Sequence, residues 1–304
     1  MHYLFNSKRT HKIILMASLK DSWLKDQAPS VTAAFLSGAL TAIAFNPVDR
    51  ALYLSARDRR PFLHRANWLD PWQGFRQAAF QRTLNASLWF FLQDNVMPAF
   101  RHADDGPLAT AAAGLAVGTL NAIIMNPFAC VKYRSWNVEG SSFRTTAIAM
   151  YKADGVKSFW CGARVTVLRD GTYGVVYEMA RHRLYAVIDR LEDPVMRGSF
   201  RFGANVLASG AATLASAPLN YARSQTFGAP LSQRSETGVT DSWRLLLAHV
   251  RDSSPSRVTQ ALLFINRLNI GWGTLRVAFG MGFTQSLHDG TKHMLSSWSS
   301  VVAS

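Results

Sequence analysis

Acidic residues are scarce in this chain. Across 304 residues, 19 Asp and Glu stand against 33 Lys and Arg, a net charge of +14. Charge of either sign is thin, 17% against about 25% for an average soluble domain. The two cysteines, Cys130 and Cys161, are too few for a disulfide framework or a cysteine-rich zinc site, and they fit a compartment where thiols stay reduced. There is no His-Glu-x-x-His pair and no nucleophile elbow around any serine. Gly271-Trp272-Gly273 lacks the third glycine and the preceding strand of a phosphate loop. An enzyme is therefore not expected, and no metal or cofactor is implied. The basic residues are scattered between apolar stretches rather than gathered in one stripe, which argues against a nucleic-acid partner. The excess of positive charge then points to an anionic membrane surface or to anionic solutes.

Where charge is missing says more than how much is missing. Pro107 to Val131 runs 25 residues without Asp, Glu, Lys or Arg; Phe202 to Ala222 runs 21 and Val31 to Val48 runs 18. A spanning helix needs roughly 20 predominantly apolar residues. The three runs are rich in Ala, Gly, Ser and Thr, which suits helices packed tightly together or facing a water-filled cavity. Three buried core helices of a soluble protein would read in a similar way.

The runs repeat one another. Each ends at a proline in a similar setting, Asn46-Pro47, Asn126-Pro127 and Ala217-Pro218, and the prolines are 80 and 91 residues apart. Nine residues before each proline is Gly38, Gly118 or Ser209, and four earlier is Ala34, Gly114 or Asn205. Small residues four apart let helix backbones approach closely. A proline removes a backbone hydrogen bond and kinks the helix. Three uncharged helices bent at one depth imply a threefold arrangement, with a period too long for a common solenoid.

These residues resemble the mitochondrial carrier family, whose three repeats each carry Pro-x-Asp/Glu-x-x-Lys/Arg at the end of the first helix. The copies here are Pro47-Val-Asp49-Arg-Ala-Leu52, Pro127-Phe-Ala129-Cys-Val-Lys132 and Pro218-Leu-Asn220-Tyr-Ala-Arg223. The family's acidic-Gly, aromatic and closing-Gly pattern is matched by Asp154-Gly155-Val-Lys-Ser-Phe-Trp160-Cys-Gly162. Trp72-Gln-Gly74 matches it in part, and the third copy is worn away, with Asn269 in place of the glycine. The resemblance runs from about residue 28 to residue 297. It implies an all-α membrane protein with six transmembrane helices in three tandem two-helix repeats, pseudo-threefold around a central cavity. The expected boundaries are a basic leader over 1–28 and repeats over 29–102, 103–195 and 196–304. Helices are expected near 30–56, 76–100, 107–136, 163–190, 199–227 and 271–297, with amphipathic linker segments at Phe143 to Lys152 and Asp241 to Val250. The first linker, Arg57 to Trp72, is too short and proline-rich for a full surface helix. Its cluster Arg57, Arg59, Arg60, His64 and Arg65 fits a matrix-facing loop, or simply a solvated one.

The same resemblance assigns candidate sites. Seven residues after the glycine position the family has its substrate contacts, here Gln81, Arg169 and Arg276, with Arg82 and Asp170 beside the first two. An arginine followed by an acid is similar to the amino-acid carriers: the arginine anchors a carboxylate through a bidentate bond, and the acid meets an amino group. Charges inside a spanning helix are costly and so are functional candidates, although pairing with neighbours is an equally structural use for them. The matrix gate would be built from Asp49, Lys132 and Arg223 beside the prolines Pro47, Pro127 and Pro218. With Ala129 and Asn220 in place of acids and Leu52 in place of a base, the family's pairing order leaves Asp49 with Lys132 as the one complete bridge. The cytosolic gate would use Asp94, Asp289 and Lys292, with Met97 replacing a base. In the second repeat the expected position is His182, while Glu178 and Arg181 lie one turn earlier, either through a four-residue gap or a gate at another depth.

The expected function is alternating-access transport of a small anionic or zwitterionic solute, carboxylate or amino-acid-like, across the mitochondrial inner membrane, with both termini toward the intermembrane space. Cardiolipin contacts would use some of the positive charge. The eroded matrix motifs also suit a carrier fold kept as a non-transporting structural subunit of a larger mitochondrial membrane complex. Met1 to Lys20 is basic and lacks acidic residues, as targeting segments do; it reads as a disordered leader or an accessory signal, with Met16 an alternative start.

Overall fold

Small side chains at fourfold spacing decide how the long helices of this protein meet. The computed structural model describes residues 28–52, 54–55, 61–72, 75–101, 106–137, 142–228, 239–252, 256–268 and 270–303. The leader before Ala28, and Arg57, Arg59, Arg60, Gly74 and Asn269, lie outside the described residues. The long helices are α1 (Ala28–Leu52), α2 (Phe75–Arg101), α3 (Pro107–Asn137), α5 (Ala163–Ile188), α6 (Pro194–Gly228) and α9 (Trp272–Ala303). Shorter ones are α4 (Phe143–Asp154), α7 (Val239–Asp252) and α8 (Arg257–Arg267), and the described residues include no strand. Helix α2 packs on α3, α3 on α5, α5 on α6 and α6 on α9. Helix α1 meets α9 through a Thr41–Thr284 hydroxyl pair at 2.8 Å, and meets α2 where Gly38 lies against Ala86.

Helices α1, α3 and α6 share one burial register. Ala34, Gly114 and Asn205 are buried, as are Ser37, Val117 and Ala208, then Thr41, Asn121 and Ala212, and finally Asn46, Asn126 and Ala217. Each set is related by the same 80- and 91-residue steps as the prolines. The large apolar side chains point the other way: Ile43, Ile123 and Leu214, one set at those same steps, are all exposed, as are Phe35, Leu40 and Leu115. Water would favour the reverse arrangement, and an exposed apolar band of this kind marks contact with another apolar phase or partner. By length and composition α1 and residues Pro107–Ser135 of α3 are able to cross a membrane, with mean hydropathies of 1.5 and 1.8.

The closest approach is between α3 and α5. A Cβ on Gly118 would run into the Asp170 carbonyl, and one on Gly114 into the backbone of Gly174. Gly162, which precedes α5, has φ 70°, a left-handed conformation that favours glycine, and a side chain there would also press on Phe227.

The segments between long helices are anchored by the residue before each proline. Asn46 Nδ2 donates to the Pro71 carbonyl at 2.7 Å, and Asn126 Nδ2 donates to the Phe159 carbonyl at 2.9 Å. The third equivalent, Ala217, has no amide and instead packs with Leu246, Val250 and Leu268. Helix α4 starts at a Ser142–Thr145 capping box and buries Met150 against Cys130, Val131 and Phe227. Both linker segments read as amphipathic are helical, as α4 and α7. Helix α8 lies just before the position of the worn-away third glycine motif and had no counterpart in the sequence reading; Val258, Leu262 and Ile265 recur there at helical spacing but remain exposed.

Candidate functional site

Helices α1, α2, α3, α5, α6 and α9 all contribute to a cavity of about 410 Å³. Gln81, Arg82, Arg169, Asp170 and Arg276, the five residues expected to contact solute, line it, and Lys132 and Arg223 from the expected matrix gate do as well. The lining also includes Asn85, Trp89 and Tyr173, along with Asn121, which had no motif to announce them. Five cations thus share a small, partly buried space. Like charges at such range repel strongly unless acids are interleaved.

Two acids do this. The Asp49 carboxylate is paired with Arg82 from α2 and Arg276 from α9. Arg276 Nη2 donates to Asp49 Oδ2 at 2.9 Å, and its Nε lies 2.5 Å from Oδ1 as an ion-pair contact without a hydrogen bond. This corrects the expected partner of Asp49: its ion pairs are to Arg82 and Arg276, in place of Lys132. A planar fork matches a carboxylate edge in a way that a single ammonium does not. The second acid, Asp170, is paired with Arg169 at 2.5 Å and lies 3.9 Å from Arg223. Arg223 also donates to Asn220 Oδ1 at 2.9 Å, so the amide in the eroded third motif still receives its neighbouring base. Aromatic faces supply further stabilisation: Arg169 lies over Tyr173, Arg223 over Tyr133 and Arg276 over Phe45, at 5.4, 5.9 and 5.3 Å.

Toward the other end of the long helices the cavity gives way to a dry layer of Trp89, Phe90, Tyr173, Tyr177, Val117 and Ala208. Beyond it α2, α5 and α9 are joined pairwise by polar side chains. Lys292 of α9 binds Asp94 of α2 at 2.6 Å. Gln93 of α2 donates to Glu178 of α5 at 2.6 Å. Tyr177 of α5 donates to Gln285 of α9 at 3.2 Å, and Gln285 in turn donates to Asp289 at 2.9 Å. Ser30 donates to Asp94, and His288, stacked on Phe90 with ring centroids 4.3 Å apart, brings Nε2 to 3.5 Å from the same carboxylate. Arg181 binds Glu178 at 2.8 Å. Glu178 is thus reached by the residue next to Asp94. Near Asp49 and Asp170, by contrast, each ion pair described above joins neighbouring helices or adjacent residues.

Residues 103–188 match the mitochondrial carrier protein family model. The chain is similar to mitochondrial glycine transporters of Xenopus laevis (27% identical over 198 residues, 57% of this chain and 66% of the relative) and Xenopus tropicalis (25% over 203 residues, 60% and 67%). It is also similar to one of Yarrowia lipolytica, at 24% over 176 residues, 51% of this chain and 58% of the relative. The chain spans about two thirds, or somewhat less, of the length of the curated relatives it matches.

Proposed function

We propose that this chain is a divergent member of the mitochondrial carrier family and that it carries a small zwitterionic amino acid across the mitochondrial inner membrane by alternating access. It would do so as six spanning helices in three pairs, pseudo-threefold around the cavity, with its termini toward the intermembrane space. The observation that carries this reading is the cavity itself, where the adjacent Arg169 and Asp170 offer one charge of each sign beside Arg82 and Arg276. A carboxylate on the solute would compete with Asp49 for a guanidinium, and an ammonium would be drawn to Asp170. Each exchange loosens an ion pair that holds two helices together, so that solute binding offsets the cost of rearrangement. Asp94, Glu178, Asp289, Arg181 and Lys292 would form the cytosolic gate. Asp49, Asp170, Lys132 and Arg223 would form a rewired matrix gate at the level of Pro47, Pro127 and Pro218. The printed names of the relatives suggest glycine as the first solute to try. The non-transporting alternative drew on the lost acids at Ala129 and Asn220, and the partners available to Arg223 weaken that motive.

The test is uptake by purified protein in liposomes preloaded with unlabelled amino acids, using radiolabelled glycine, other small amino acids and simple carboxylates. Saturable uptake of at least one amino acid is the expected result. No uptake of any solute by protein that melts cooperatively in detergent would overturn the reading.

A further inference from the structure

The cavity wall between α2 and α3 holds an amide pair that neither the gate nor the arginine contacts use. Asn121 Nδ2 points to Asn85 Oδ1 at 3.4 Å, a weak bond, while Asn121 Oδ1 is buried without a hydrogen-bond partner. Asn121 as a whole is 4% exposed and faces the cavity. On the facing α2 surface Gln81 Oε1 is likewise buried and unpartnered, and Gln81 also lines the cavity. Buried amide oxygens are almost always satisfied in folded proteins, and an exception at a cavity wall implies a group that arrives from outside.

The position is special to one repeat. The residues equivalent to Asn121 at the 80- and 91-residue steps are Thr41 and Ala212. Thr41 is satisfied by Thr284 at 2.8 Å, and Ala212 has no polar atom. Two amide oxygens without donors thus face the cavity from the α2–α3 wall, beside the Arg82 guanidinium of α2. We infer that Asn121 Oδ1 and Gln81 Oε1 accept hydrogen bonds from the ammonium group that the Asp170 charge attracts into the cavity, with Asn85 holding the Asn121 amide in that orientation. The inference rests on the amino-acid reading above and adds the residues that select an N–H-bearing solute over an N-alkylated one.

The experiment is competition against labelled glycine uptake in liposomes, with glycine, N-methylglycine and N,N,N-trimethylglycine as competitors. In the unmodified protein, trimethylglycine has no N–H to offer and should compete about tenfold or more weakly than glycine, as expected for losing hydrogen bonds to a charged group. Asn121→Leu should weaken glycine while leaving trimethylglycine nearly unchanged, so the discrimination collapses. Asn121→Asp keeps an acceptor and should keep the discrimination. If Asn121→Leu does not fold, as judged by its melting in detergent, Asn121→Ala reads the same ratio. Full discrimination retained in the Leu or Ala protein overturns the inference and leaves the transport reading standing. An unmodified protein that takes up no amino acid overturns both.

Discussion

Gln93 of α2 reaches Glu178 of α5 with a 2.6 Å hydrogen bond, although both helices pack chiefly on α3. The Glu178 side chain is 1% exposed, so its charge depends on Gln93 and Arg181 for stabilisation. Gln93→Leu removes one donor from a buried carboxylate, which should cost about 1–3 kcal/mol. The expected result is a lower melting temperature in detergent. Gln93→Glu, which sets a second carboxylate against the first, should be worse. Unchanged melting in both variants would show that the two residues do not meet.

Asp94 and Lys292 form an asymmetric pair. Lys292 is 43% exposed and has Asp94 as its ion-pair partner, whereas Asp94 gathers Ser30, His288 and Lys292. Solvent screening limits an exposed pair to about 1 kcal/mol or less. Lys292→Ala should therefore destabilise only mildly, and Asp94→Ala, which strands three partners, clearly more. Equal losses from the two substitutions would contradict the arrangement.

Asp49 should couple to the arginines and not to Lys132. A double-mutant cycle on melting, Asp49→Asn with Arg276→Gln, should give an interaction energy of about 1–3 kcal/mol, as for contacting charged groups. The cycle with Lys132→Gln should be additive to within about 0.5 kcal/mol. The reverse result would restore the family's pairing order.

Gly118→Ala should destabilise by about 1–3 kcal/mol or more, because the new methyl meets the Asp170 backbone, which has no rotamer to yield. Gly198→Ala in α6 has open space around its Cβ and should be neutral or stabilising by about 0.5–1 kcal/mol through lower chain entropy. Paired melting curves of the two variants check both claims at once.

Much of the helical frame was legible because it rests on local signals. The prolines and the small residues before them report a stripe, and the stripe is buried in α1, α3 and α6. The five expected contact residues line one cavity because spacing from Gly162 and its counterparts fixes which face of a helix looks inward. The partner of Asp49 was not legible. Arg276 is 227 positions away, and only packing brings it to the carboxylate. Gln93 was overshadowed by the acid beside it, since a neutral amide carries no charge pattern to notice. Asn121 lay inside a run whose interest was its lack of charge. Helix α8 was hidden by a lost glycine, yet Val258, Leu262 and Ile265 held its period in plain view.

The amides of Asn46 and Asn126 have one more implication. Asn46 clamps the turn ahead of α2 to the proline-bearing end of α1, and Asn126 clamps the turn ahead of α5 to that of α3, through directional bonds of 2.7 and 2.9 Å. Directional bonds there resist sliding between α1 and the turn before α2, and between α3 and the turn before α5. Ala217, at the corresponding position of α6, meets Leu246, Val250 and Leu268 through apolar contacts, which slide without a preferred direction and loosen on cooling. Motion in the final pair of helices is therefore free to lag behind the other two, and chilling should slow that pair first.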